Sequence, residues 1–382
     1  MDFMATTWFL PVAITVWCVI LAALLWGYFL ALRPRRGTLQ WMDELEPSNL
    51  SWAGANHSLT NVDGILLAVL ALFGGLVSYG MSGGLAVDFS DFAAVFFAAG
   101  TYVVLPMVTA GAAFWLAKSM TGHSTVAVLV AILVALDVFA PAGPMAVIVV
   151  TACLLYSYSG QAHQPNLWHR LTVLLLSGAV MAVGFHFYPG LILLLVPTFG
   201  VIFLVNWEYF RETGHFWRCF LGHGIMVLAS AVVTLIACYI PQALVGGLPI
   251  FGTVFYAEFY QMMLPQVAKN LATAFNGFAL YYALFTTMTH WPLLLMGVVI
   301  VPILCHGAVK EKGSSALYAL IWGGAVLVAW LSTSISALFF CVALGLGYLA
   351  SRLWEKGRYL LLIMWVIALF LGILSMYLMI LM

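Results

Sequence analysis

Residues 171–205 read LTVLLLSGAVMAVGFHFYPGLILLLVPTFGVIFLV. Two apolar runs, 171–185 and 189–205, flank the turn His186-Phe187-Tyr188-Pro189-Gly190, and neither run contains Asp, Glu, Lys or Arg. Side chains that are apolar on every face suit a helix surrounded by lipid or by other apolar helices, whereas the strands of a membrane barrel are shorter and alternate. The stretch predicts two membrane helices joined by a tight turn.

The same pattern recurs along the whole chain of 382 residues, of which 65% are apolar and 7% charged. A soluble domain carries about 25% charged residues, so this composition cannot clothe a water-facing surface. A soluble enzyme and a nucleic-acid binder are both excluded. Apolar runs fall at 8–31, 64–81, 92–117, 124–139, 144–158, 171–185, 189–205, 219–240, 277–308, 314–331, 334–350 and 359–380. Most are long enough to cross a hydrocarbon core of roughly 30 Å as a helix. The expected architecture is an all-α, polytopic transmembrane bundle of about twelve spans. The six cysteines form no CxxC pair and read as small core residues.

Charge orients the bundle. Arg33, Arg35 and Arg36 follow the first run, which reads as a retained span rather than a cleaved leader. If they face the cytoplasm, strict alternation places twelve of the thirteen basic residues inside and leaves Lys269 alone outside. That is the positive-inside pattern, and it places both termini outside. Five units result: a first spanning helix (1–36), a cytoplasmic connection (37–63), a membrane module (64–240), an outer loop (241–276) and C-terminal membrane helices (277–382). Pro292 and Pro302 interrupt residues 271–309, which the charge count favours as one kinked crossing over a re-entrant piece plus a helix.

Acids then mark the candidate chemistry, because an ionisable group at a membrane edge is costly unless solvated, paired or used. Asp63 and Lys118 fall among the inner loop charges, and Asp63, like the other acids there, reads as an ordinary solvated group. On the outer side stand Asp88 and Asp91 in Gly83-Gly84-Leu85-Ala86-Val87-Asp88-Phe89-Ser90-Asp91-Phe92, Asp137 ahead of Pro141, and Glu258. Two carboxylates a turn apart in a low-dielectric setting can have their proton affinities driven apart, leaving one ionised as a base; Asp91 equally suits a helix N-cap. His186, His290 and Lys269 are the side chains on this face able to hold a phosphate as cations. In the outer loop, Phe251, Phe255, Tyr256, Phe259 and Tyr260 recur at spacings of four and one, which predicts a short aromatic helix lying in the interface plane. The remaining seven histidines show no HxxxH or HxxH spacing, so no metal site is read from them.

The run of seven helices beginning inside, the acidic first outer loop with Asp88 and Asp91, the Tyr188-Pro189-Gly190 outer turn and the long outer loop after the seventh helix resemble the integral-membrane glycosyltransferases of the GT-C superfamily. The resemblance is one of layout, over about residues 64–276. It implies a seven-helix module followed by variable C-terminal helices, and a lipid-linked sugar donor carried on a polyprenyl phosphate. It also implies Asp88 or Asp91 as catalytic base and Lys269 as a phosphate contact. Tyr256, Glu258, Asp137, His186 and His290 would then be substrate-binding candidates, and a divalent cation could bridge acid and phosphate. The setting implied is the plasma membrane of a bacterium or archaeon. Two other classes stay open: a non-catalytic subunit with a membrane-protein partner, for which small-residue pairs such as Gly83-Gly84 and Gly246-Gly247 provide packing surfaces, and a secondary transporter or lipid flippase with Asp137 as coupling site.

Overall fold

The computed structural model describes residues 60–81, 100–135, 142–160, 167–210, 214–249, 252–274, 304–305, 308, 318–322, 335–355, 357–360, 362–363 and 366–367. Among these residues the chain is helical and contains no strand. The helices are α1 (Asn61–Met81), α2 (Leu105–Thr121), α3 (Ser124–Ala135), α4 (Ala142–Gly160), α5 (Leu167–Phe187), α6 (Leu195–Phe210), α7 (Phe216–Val245), α8 (Ala257–Ala274) and α9 (Ile335–Glu355). A π-turn at Gly100–Val104 leads into α2, and tighter 3-10 turns at Pro189–Leu194 and Thr253–Phe255 precede α6 and α8. Among the described residues, four helical stretches are long and apolar enough to cross a membrane: Gly100–Thr121, Arg170–Phe187, Pro189–Trp207 and Phe216–Val245. The shorter apolar helices of α1, α3 and α4 pack among them.

Contacts at the helix ends show that consecutive helices run antiparallel. The start of α1 meets the end of α2 and the start of α3 through Asp63, Lys118 and Ser124. The end of α4 joins the same side, because the Tyr156 hydroxyl donates to the Ser119 carbonyl at 3.0 Å. At the opposite end, the last turn of α5, the Pro189–Leu194 turn and α8 lie together. These are called below the Asp63 end and the His186 end.

The larger core cluster is centred on α2, α3, α4 and α9, with Phe114, Leu116, Ile148, Leu155 and Phe340 fully buried, and a smaller one joins Tyr239 and Ala243 of α7 to Phe259 and Met263 of α8. Lipid solvates Leu as well as a neighbouring helix does, so close backbone approach has to supply much of the cohesion. The α5–α7 crossing does so at Gly178: a Cβ there would stand 2.3 Å from the Val227 carbonyl oxygen, and Ser230 Oγ donates to the Leu175 carbonyl at 2.6 Å. In contrast, α7 turns Trp217, Leu221, Ile225, Leu228 and Val232 outward. Their spacing of four, four, three and four residues marks one apolar stripe on the exterior.

Helix α7 also runs to Val245, five residues beyond the apolar run 219–240 and across Pro241. The proline forfeits one helical bond near the end of a long helix, a smaller disruption than at its centre.

Candidate functional site

Four of the eight residues singled out by sequence lie within the described structure: His186, Tyr256, Glu258 and Lys269. Asp88, Asp91, Asp137 and His290 lie outside the described residues.

His186 sits in the last turn of α5. Pro189 and Gly190 end that helix in a 3-10 turn, with Leu191 N–H donating to the Tyr188 carbonyl at 2.9 Å. The imidazole meets Phe187 and Tyr239 edge-on, both with ring centroids at 4.7 Å. Its Nδ1 is buried without a hydrogen-bond partner. Such an atom loses its water on folding and gains nothing in return, so it holds capacity for a ligand or an ordered water. Tyr188 lies against α4 because position 143 is glycine; a Cβ at Gly143 would come within 2.6 Å of the Tyr188 ring.

Helix α8 covers this turn. The expected aromatic helix over 251–260 is displaced: Gly252 takes a left-handed φ of 78°, a 3-10 turn covers Thr253–Phe255, and the helix proper starts at Ala257. The aromatic side chains consequently do not share one side. Phe259 is fully buried, whereas Phe255 is 88% exposed and Tyr256 and Tyr260 are also exposed.

Stepping about 100° per residue along α8 divides it into three sectors. Phe259, Met263, Val267, Asn270 and Ala274 face the bundle and are buried or half-buried. Beside them, Tyr260, Leu264, Ala268 and Leu271 form an exposed apolar strip. The third sector carries Glu258, Gln261, Gln266, Lys269 and Thr273, all exposed, with Met262 and Pro265 between them. Pro265 removes the helical partner of the Gln261 carbonyl on this polar side, where water can replace it. A helix with one face for protein, one for hydrocarbon and one for water fits the plane of a membrane interface.

His186 and α8 are brought together by Asn270, whose Nδ2 points at the His186 carbonyl at 3.5 Å, the limit of a hydrogen bond. Lys269 and Glu258 are not: both face away from the bundle, and they stand about 16 Å apart along the helix axis, too far to pair. Sequence reading missed Asn270 and Tyr239. The periodicity 259, 263, 267, 270 was the available signal, since it turns Asn270 inward and its neighbour Lys269 outward.

The second polar focus lies at the Asp63 end and overturns the reading of Asp63 as a solvated loop charge. Asp63 is fully buried and Lys118 is 7% exposed. The carboxylate accepts from Thr60 N–H and Thr60 Oγ1, each at 2.8 Å, and from Ser124 Oγ at 2.5 Å; Lys118 Nζ stands 3.7 Å away. The ammonium in turn donates to the Gly122 carbonyl and to Ser124 Oγ, each at 2.9 Å. Burial works to raise the Asp63 pKa, but the bonds from Ser124 and Thr60 and the Lys118 charge outweigh it, and the net direction is down. Every partner sits at a helix end, so the group fastens α1 to the α2–α3 turn. Nearby, Glu355 at the end of α9 pairs with Arg352 at 2.7 Å and faces His123 at 3.7 Å.

Among the described residues, no group of three His, Cys, Asp or Glu side chains is placed to hold a metal ion. Compared with protein-family models, curated proteins and solved structures, the chain has no match in any of the three.

Proposed function

We propose that this protein is an integral-membrane glycosyltransferase that takes a sugar from a polyprenyl-phosphate donor at the outer membrane face. The observation that supports the reading best is α8, an interfacial helix docked over the His186 turn. It offers a lipid tail an apolar strip and a headgroup a polar one. In this scheme Asp88 or Asp91 accepts the proton of the acceptor hydroxyl, the oxygen attacks the anomeric carbon, and the bond to the lipid phosphate breaks. The leaving phosphate keeps the electron pair, and the protein mainly positions it and balances its charge, with His186 and Lys269 as contributing groups.

The test is transfer of a labelled sugar from its lipid carrier in vesicles, with Asp88→Asn, Asp91→Asn and Asp137→Asn each assayed after their expression is matched. Loss of the general base lowers the rate about 10²-fold or more, and this is expected at Asp88 or Asp91. Full transfer by all three variants ends the proposal.

The outward apolar stripe of α7 favours a second reading, a non-catalytic subunit that packs this stripe on another membrane protein. Co-purification of a second polypeptide from native membranes, with no transfer by the isolated chain, would select it.

A further inference from the structure

Helix α8 is held to the bundle by an apolar cluster of its own. Of its eighteen residues only Phe259, Met263 and Ala274 are buried. Phe259 and Met263 pack with Tyr239 and Ala243 of α7, and this cluster is separate from the larger core. Tyr239 is also one of the two rings that flank the His186 imidazole, edge-on at 4.7 Å. The seat of α8 and a wall of the histidine are therefore the same side chain. Farther along α8, the bond from Asn270 to the His186 carbonyl stands at its limit of 3.5 Å. The chain enters α8 through Gly247 and Gly252, whose left-handed φ values of 91° and 78° suit glycine. A few such residues are enough to absorb the backbone change of a hinge.

Two opposing contributions meet at this helix. Burial of Phe259 and Met263 favours the docked position. The His186 Nδ1, buried without a hydrogen-bond partner, opposes it, because a polar atom stripped of water and left unpaired carries its full desolvation cost. Lifting α8 uncovers Tyr239, frees that ring to move off the imidazole and lets water or a ligand reach the nitrogen. The rest of α8 loses little by lifting: Tyr260, Leu264 and Leu271 are already exposed and stay in hydrocarbon, while Glu258, Gln261 and Lys269 stay in water. A ligand that bonds Nδ1 only in the lifted state shifts the population toward it.

We propose that α8 is a hinged lid over His186, latched by Phe259 and Met263 on Tyr239, and that it lifts about Gly247 and Gly252 to let the phosphate of a lipid ligand bond Nδ1. The identity of that ligand rests on the function proposed above. The lid itself rests on the separate cluster, the two glycines and the unpaired nitrogen.

The experiment follows alkylation by N-ethylmaleimide of the full chain carrying Met263→Cys, in lipid nanodiscs, with each thiol read separately by peptide mass spectrometry. Native Cys153, 3% exposed in the larger core, reports opening of the whole bundle in the same sample. The thiol at position 263 should react at least about tenfold faster than Cys153, as a locally opening unit does; equal rates mean that α8 opens only with the bundle and overturn the lid. Phe259→Ala should raise the rate at position 263 about tenfold or more and leave Cys153 unchanged, and Phe259→Leu should raise it less. No rise in either variant, or an equal rise at Cys153, overturns the latch. His186→Phe keeps a ring and removes the unpaired nitrogen, so it should slow the reaction about fivefold or more; an unchanged or faster rate refutes the role of Nδ1. Farnesyl phosphate should speed the reaction at position 263 and farnesol should not. If the protein arms hold and farnesyl phosphate has no effect, the lid stands and the phosphate-bearing donor of the proposed function falls.

Discussion

The Asp63 network and the His186 turn, at opposite ends of the bundle, treat polar groups in opposite ways. At the Asp63 end, a carboxylate and an ammonium are buried together, and Thr60, Ser124 and the Gly122 carbonyl complete their bonding. At the His186 end, Glu258 and Lys269 stay on the exposed face of α8, while a buried imidazole nitrogen has no partner. A closed, mutually satisfied network holds helices in register and has little capacity left for a ligand. An unsatisfied buried atom beneath an amphipathic helix has that capacity. The first arrangement holds the fold; in the function proposed above, the second end is the one that meets lipid and substrate.

The largest test of this contrast is at Asp63. Asp63→Ala leaves the Lys118 ammonium buried without its counter-charge and is expected to cost about 3–5 kcal/mol, measured by reversible unfolding in detergent. Adding Lys118→Met should recover much of that loss, because the uncompensated charge disappears; no recovery would break the clamp interpretation. Acid provides a second check on the same pair. Because the folded-state pKa lies below the ordinary 3.8, the contribution of Asp63 is complete above that value and is lost as pH falls through the lower, folded one. The stability of the native chain should therefore fall in acid more than that of Asp63→Asn.

At the His186 end the expected effects are smaller. Gly143→Ala places a methyl group within 2.6 Å of the Tyr188 ring and is expected to destabilise by about 1–3 kcal/mol through overpacking. Combining it with Tyr188→Leu should remove the clash, so the two substitutions should not be additive. The smallest effect belongs to Leu264, which is 58% exposed on the apolar strip of α8. Leu264→Ser should leave unfolding within about 0.5 kcal/mol of the parent. It should nonetheless reduce quenching of α8 by lipids brominated near the headgroup, with a reporter Trp placed at Tyr260. Unchanged quenching would show that the strip does not face lipid.

Much of the helical framework was legible from apolar runs. The runs 64–81, 124–139, 144–158, 171–185, 189–205 and 219–240 each overlap a helix of the structure, because an uninterrupted apolar run satisfies its backbone only as a helix. Helix ends were less legible, as at Val245, where a proline reads as a stop yet lies inside the helix. Within the candidate site, His186 was found because it stands in a visible turn. The aromatic helix was misplaced because spacing alone does not reveal the left-handed turn at Gly252. Asp63 was misread for a deeper reason: its partner Ser124 is 61 residues away, and no local pattern records which helix ends will meet.

Sequence by itself determined that this chain belongs in a bilayer and that its segments there are helical, since both conclusions follow from transfer of side chains and backbone out of water, residue by residue. Tertiary structure alone decided which charges are buried, which glycines carry a crossing, and that Tyr158, Asn206 and His223 meet at one seam. Those outcomes depend on the relative placement of helices, and in lipid that placement is governed by close packing and hydrogen bonds between distant residues rather than by hydrophobicity, which is nearly uniform along the chain.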